Sequence, residues 1–119
     1  MRKPTWREIK EYYFDPQFLE ITKCWLHPYI FTATPDEAIP PATDLHHGVI
    51  NKAKFRSRSF HKYLDVIENA VPVCRKCHLY ADAYEIRRIA YQLKVEELGK
   101  ERMEKWLDSL PVIIKENLK

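Results

Sequence analysis

Two short pairs of soft ligands constrain this chain more than any other feature: Cys24-Trp-Leu-His27 and, some fifty residues later, Cys74-Arg-Lys-Cys77. A spacing of two lets one tight turn present both side chains to a single ion, and three cysteines with one histidine make a closed tetrahedral zinc set. The chain has three cysteines, an odd number that disulfides cannot consume, so the pattern points to a metal and a reducing compartment. A structural Zn2+ on Cys24, His27, Cys74 and Cys77 would contribute folding free energy directly, which a small chain needs. The plainer alternative is that these cysteines are small buried hydrophobes.

The length of 119 residues fits one domain over 1–119, and 45% apolar residues, including three Trp, seven Tyr and five Phe, can supply a modest core. No apolar run approaches the roughly 18 residues that span a bilayer, and the N-terminus lacks the apolar segment of a signal peptide, so a cytoplasmic protein is expected. Charge is uneven. Residues 51–76 hold seven basic and two acidic side chains, whereas 1–50 hold five and seven, and 77–119 hold eight of each. A local surplus built from Lys52, Lys54, Arg56, Arg58 and Lys62 would attract a polyanion, although a solvated basic loop would look the same.

Local signals predict an α+β chain. Thr5-Trp-Arg-Glu8 has the form of a capping box, opening a helix to about Phe14. Asp15-Pro16 then suggests a brief helical turn through Leu19 and Glu20. Tyr29 to Thr34 is aromatic and β-branched enough for a strand, and Pro35, Pro40 and Pro41 make the acidic stretch after it a loop. Leu45–Ile50 and Val71–Val73 read as a hairpin around a long basic excursion with room for its own helical turn. From Leu79 the apolar positions Leu79, Ala83, Ile86, Ala90 and Leu93 recur at helical spacing, and Gly99 is the natural stop. Lys100–Leu110 makes a second amphipathic helix with Met103, Trp106, Leu107 and Leu110 inward, ended by Pro111.

A second constellation comprises Asp44-Leu45-His46-His47, Asn69, and His78 directly after Cys77, with Asp82 four positions on. Neighbouring strand residues face opposite sides, so His46 and His47 cannot easily do the same job; if one coordinates metal, the other is available as a base, since a neutral imidazole titrates near pH 6.5. His78 and Asp82, four apart on an expected helix, would share a face.

The order His-His, Asn, then Cys-x-x-Cys-His over residues 44–82, with the knuckle at 24–27, resembles the HNH endonucleases. The tail Arg102-Met-Glu-Lys-Trp106 before a Leu-Pro is similar to that of small phage and prophage HNH proteins. The resemblance implies a ββα-metal core at 44–95, preceded by an N-terminal helix and zinc knuckle (1–43) and followed by a helical tail (96–119). It implies hydrolysis of phosphodiester bonds, most simply in double-stranded DNA, to a 5'-phosphate and a 3'-hydroxyl. It implies His47 as general base, Asn69 as its support, and His46, His78 and Asp82 as ligands of a catalytic divalent ion. Asp82 departs from the His or Asn common at that position; a carboxylate there favours Mg2+ or Mn2+ over softer transition metals, and Asp44 is the substitute ligand. Asp82 could equally do no more than favour the positive end of its helix.

Lys52, Lys54, Arg56, Arg58, Arg75 and Lys76 would then hold backbone phosphates and carry little base information, and His61 would lie at the surface near phosphate. The competing readings are a non-catalytic, zinc-stabilised nucleic-acid-binding module, or an interaction protein that docks a partner through Trp106 and Val112–Ile114. A homodimer, or a phage packaging or recombination partner, fits any of these.

Overall fold

The computed structural model describes residues 3–15, 22–55 and 57–116; the turn expected at 15–20 lies beyond Asp15 outside them, as does Arg56. The chain is a small mixed domain of helices around one two-stranded antiparallel sheet. Its elements are α1 (Trp6–Phe14), α2 (His27–Ile30), β1 (Asp44–His47), α3 (Arg58–Leu64), β2 (Ala70–Val73), α4 (Arg75–His78), α5 (Tyr84–Leu98), α6 (Lys100–Ser109) and α7 (Val112–Glu116), with short 3-10 turns at Asp36–Ala38, Lys52–Lys54 and Ile67–Asn69. No helix among the described residues is long and apolar enough to cross a membrane.

α1 starts as its sequence demands. The Thr5 hydroxyl accepts from the Glu8 amide and Glu8 Oε1 accepts from the Thr5 amide, satisfying two amides that the first turn leaves without helical partners. Its inward face, Ile9 and Tyr13, packs with Leu45 and Ala70 against one side of the sheet. The opposite side, with Val71, Val73 and Ala90, meets the cysteines and Leu26. A third apolar cluster joins Ile50, Phe55 and Leu64 of the long excursion to Met103, Trp106, Leu110 and Ile114 of the C-terminal helices.

The sheet pairs Asp44 with Val73, Leu45 with Pro72, His46 with Val71 and His47 with Ala70. Pro72 is tolerated because a two-stranded sheet leaves β2 an outer edge; there its carbonyl accepts from the Trp25 amide at 3.0 Å, tying the first knuckle to the hairpin. β1 ends at His47 rather than Ile50, since Gly48 turns the chain away. A Cβ at Gly48 would overlap Val71 Cγ2, so only glycine permits this approach. Gly99 breaks α5 from α6 at φ 97°, open to glycine and strained for other residues.

Three expectations are corrected. Tyr29–Thr34 is no strand: the amides of Tyr29 and Ile30 turn back to the Leu26 carbonyl and that of Phe31 to His27, because the ligand turn and Pro28 set helical geometry before any strand partner is within reach. α5 begins at Tyr84, not Leu79. The chain turns between His78 and Tyr84, so Ala81 is buried and Leu79 is 77% exposed. Trp106 and Ile114 are buried and cannot form a docking face, although Val112 and Ile113 are exposed; Pro111 stops α6 and its fixed φ then starts α7.

Candidate functional site

The two ligand pairs converge. The donor atoms of Cys24, His27, Cys74 and Cys77 all lie within 4.8 Å of one another, with His27 Nδ1 at 3.7 Å from Cys74 Sγ and 3.4 Å from Cys77 Sγ. A tetrahedral zinc with bonds of about 2.0–2.3 Å has ligand-to-ligand edges of roughly 3.5–3.8 Å; the two His27 distances lie near that range, and the set as a whole is compatible with such an ion. The Cys77 amide donates to Cys74 Sγ, the hydrogen bond of a metal knuckle and also the cap of α4. Burial pushes the Cys24 and Cys77 thiols up, and a cation at the centre reverses that preference by stabilising thiolate. This is the one group of three or more candidate ligands so closely gathered among the described residues. The four residues sit at the junction of α2, β2 and α4, where one ion would tie all three elements together.

A cleft of about 560 Å³ opens beside the hairpin, lined by His46, His47, His61, His78 and Asp82 together with Asn51, Lys52, Ala53 and Phe55. α4 carries His78 there directly after its last cysteine, so the soft-ligand site also positions the histidine cleft. The His46 and His78 rings meet edge to face with centroids 4.8 Å apart. His78 Nδ1 lies 3.0 Å from Asp44 Oδ2; a carboxylate can only accept, so Nδ1 is the donor of this bond and Nε2 is the ring nitrogen left for another partner. Hydrogen bonding to His78, helped by Thr43 and Arg75, holds the Asp44 carboxyl below its usual range. Asp44 thus orients His78.

His46 is 5% exposed, and its Nε2 is the one fully buried side-chain polar atom among the described residues with no hydrogen-bond partner. Burial first, then the charge of Arg87, pushes its pKa down to about 3, so the ring is neutral at physiological pH. A neutral imidazole with an orphaned buried nitrogen, beside a second imidazole aimed by a carboxylate, suits a divalent cation. The third expected ligand is not with them. Asp82 lines the cleft but is exposed, and its carboxylate is ion-paired to Arg87. The turn at 79–83 explains this: Asp82 does not stand one helical turn beyond His78.

His47 leaves β1 on the other face, as strand alternation requires. Its ring stacks on Trp6 at 3.9 Å between centroids and 7° between planes, and its Nε2 lies 2.8 Å from Asp65 Oδ1. The acceptor-only carboxylate places the proton on Nε2, leaving Nδ1 as the ring nitrogen able to take one. Burial lowers the His47 pKa and Asp65 opposes that shift. Asn69 does not touch this ring. Fully buried, it accepts from the Val49 and Ile50 amides at 2.9 and 2.8 Å and donates to the Ile50 and Leu64 carbonyls at 3.1 Å each. It fixes the turn after His47 by binding backbone across the loop.

The basic residues divide. Lys52 is bound to Asp65 Oδ2 at 3.0 Å, Arg75 reaches Asp44, and Lys76 lies over the Phe31 ring at 4.4 Å. Lys54 and Arg58 are exposed on the excursion. His61 is half-buried rather than superficial; its Nε2 lies 3.1 Å from the Phe55 carbonyl.

Sequence reading missed Trp6, Asp65 and Arg87. Arg87 donates to the carbonyls of His47 (2.7 Å) and Gly48 (3.1 Å), locking the end of β1. Neither helical spacing nor a motif reveals these three, since each acts across the fold. Comparison with known proteins finds no matching family model, curated protein or solved structure.

Proposed function

We propose that this chain is a metal-dependent endonuclease of the HNH type, built as a ββα-metal core on β1, β2 and the helices after them, and hydrolysing phosphodiesters of DNA. The observation that carries the reading is the buried, partnerless Nε2 of His46, whose ring meets that of His78 edge to face, in a cleft that also holds His47. His46 and His78 would hold Mg2+ or Mn2+, with Asp82 completing the set on release from Arg87. The bound ion supplies Lewis-acid stabilisation of charge on a phosphate oxygen and the departing oxygen. His47 Nδ1 takes the proton of an attacking water; Asp65 holds the ring and stabilises the imidazolium that results, the logic of any carboxylate-oriented histidine base. Lys54 and Arg58 meet flanking phosphates, with low sequence preference.

A second reading is a zinc-stabilised nucleic-acid-binding module without catalysis. The ion pair of Asp82 with Arg87 favours it, because it leaves two imidazoles and no carboxylate directed at a metal.

The test is conversion of supercoiled plasmid by wild type and His47→Ala, each shown to be folded and zinc-loaded, with magnesium or manganese added. Nicking or linearisation by wild type, reduced about 100-fold or more in the variant, supports the nuclease. Binding of DNA with no cleavage in any metal supports the binding module.

A further inference from the structure

A second pocket, about 340 Å³, adjoins the histidine cleft and shares Asn51, Phe55 and Asp82 with it. Its construction differs. Ile50, Phe55 and Leu107 give it apolar walls, and two tyrosines of α5, Tyr84 and Tyr91, line it about two helical turns apart. Tyr84 is 67% exposed, a large ring left to water at the pocket edge, with the Arg88 guanidinium 5.9 Å from its centroid. Lys54 and Gln92 add a cation and an amide.

An apolar slot lined by two tyrosines, with a guanidinium over one of their rings and an amide for edge contacts, matches a nucleobase. Its carboxylate, Asp82, is paired with Arg87 here and would face the divalent cation on release, so in either state its charge is balanced against an anionic chain. A base within a duplex is stacked on its neighbours and cannot enter; an unpaired one can.

We propose that this pocket receives the base of an unpaired nucleotide next to the phosphate held in the histidine cleft. The substrate class is then DNA that is single-stranded or locally opened at the cut, with Tyr84 as stacking platform and Arg88 beside it. The assignment rests on the nuclease reading for the neighbouring phosphate, but base recognition is measurable without cleavage.

The experiment is fluorescence anisotropy of zinc-loaded protein in magnesium-free buffer, with a labelled oligodeoxyadenylate of about ten nucleotides and an abasic strand of the same length and charge. Wild type should bind the base-bearing strand about tenfold more tightly, within the range that stacking one base on an aromatic ring confers. Tyr84→Ala and Arg88→Ala, both at solvent-accessible positions, should bring that ratio close to one. Equal affinity of wild type for the two strands, or an unchanged ratio in both variants, would overturn the base pocket. Cleavage assays on single-stranded DNA as well as on supercoiled plasmid read the nuclease proposal separately: base preference with neither DNA cut removes the nuclease alone, and cleavage without base preference removes the pocket alone.

Discussion

His47 Nε2 and Asp65 Oδ1 lie 2.8 Å apart across 18 residues of chain, with Lys52 Nζ on the other oxygen of the same carboxylate at 3.0 Å. The excursion between the two strands therefore returns to orient the histidine from which it departs. Asp65→Asn keeps the shape but can present an amide N–H to Nε2 and favour the wrong tautomer. On the nuclease proposal, DNA cleavage should fall by roughly 100-fold or more, with the thermal midpoint little changed. Cleavage within about twofold of wild type would make Asp65 a loop anchor only.

The soft-ligand cluster should hold one zinc per chain and support the fold around it. Apparent free energies of structural zinc run to about 10–16 kcal/mol, more than the whole stability of most small domains. Cys77→Ser, or stripping by a strong chelator, should abolish the cooperative unfolding transition seen by circular dichroism. Cobalt substitution should give the visible bands of a tetrahedral site with three thiolates and one imidazole. A chelated protein that melts at the wild-type temperature would remove the structural role.

Asn69 binds four backbone groups with one buried amide, accepting twice through its oxygen and donating twice through its nitrogen. Asn69→Ala leaves two amides and two carbonyls unsatisfied in the interior. It should cost about 2–4 kcal/mol in denaturant unfolding, each buried orphan costing about 1–3 kcal/mol before relaxation. Asn69→Asp should also destabilise, since a carboxylate cannot donate to Ile50 and Leu64. A loss under about 0.5 kcal/mol, the size of an ordinary surface substitution, would mean that the turn after His47 is held elsewhere.

His46 gives stability a definite pH dependence. Its pKa is pushed down to about 3 in the folded chain against an ordinary 6.5, so the folded state binds fewer protons than the unfolded state between those values. Above about pH 6.5 both states are neutral and the full stability is present. It is lost as pH falls from there toward 3, at up to about 1.4 kcal/mol per pH unit from this group. Urea unfolding of wild type and His46→Phe between about pH 5 and 7, with zinc saturating, isolates the contribution, and the variant should show the shallower slope. Identical slopes would mean that folding does not lower the His46 pKa.

Legibility followed the range of the interactions. The capping box at Thr5 and Glu8, the break at Gly99 and the inward set Met103, Trp106 and Leu110 depend on neighbours within a turn or two, and each was readable from spacing alone. Tyr29–Thr34 misled because strand propensity reports fit to a half-buried pleated surface, and here the preceding ligand turn and Pro28 had already set the chain helical. Leu79 misled because periodicity was extended through a turn that burial of Ala81 requires. Lys94 was invisible: fully buried, it reaches the Tyr13 hydroxyl at 3.0 Å and Glu97 at 2.5 Å. No local pattern distinguishes it from a solvated helix lysine, and burial pushes its pKa down while Glu97 opposes the shift.

The amino-acid sequence by itself determined the soft-ligand set, because two x2 pairs carry their geometry within single turns, and it determined that a His-His strand and the His78 turn would belong to one hairpin unit. Tertiary structure alone decided what each histidine meets. Asp44 turns His78, burial leaves His46 Nε2 without a partner, Trp6 and Asp65 clamp His47, and Arg87 draws Asp82 aside. Those outcomes depend on which side chains from distant segments share a low-dielectric space, and that is set by packing of the whole chain, not by spacing along it.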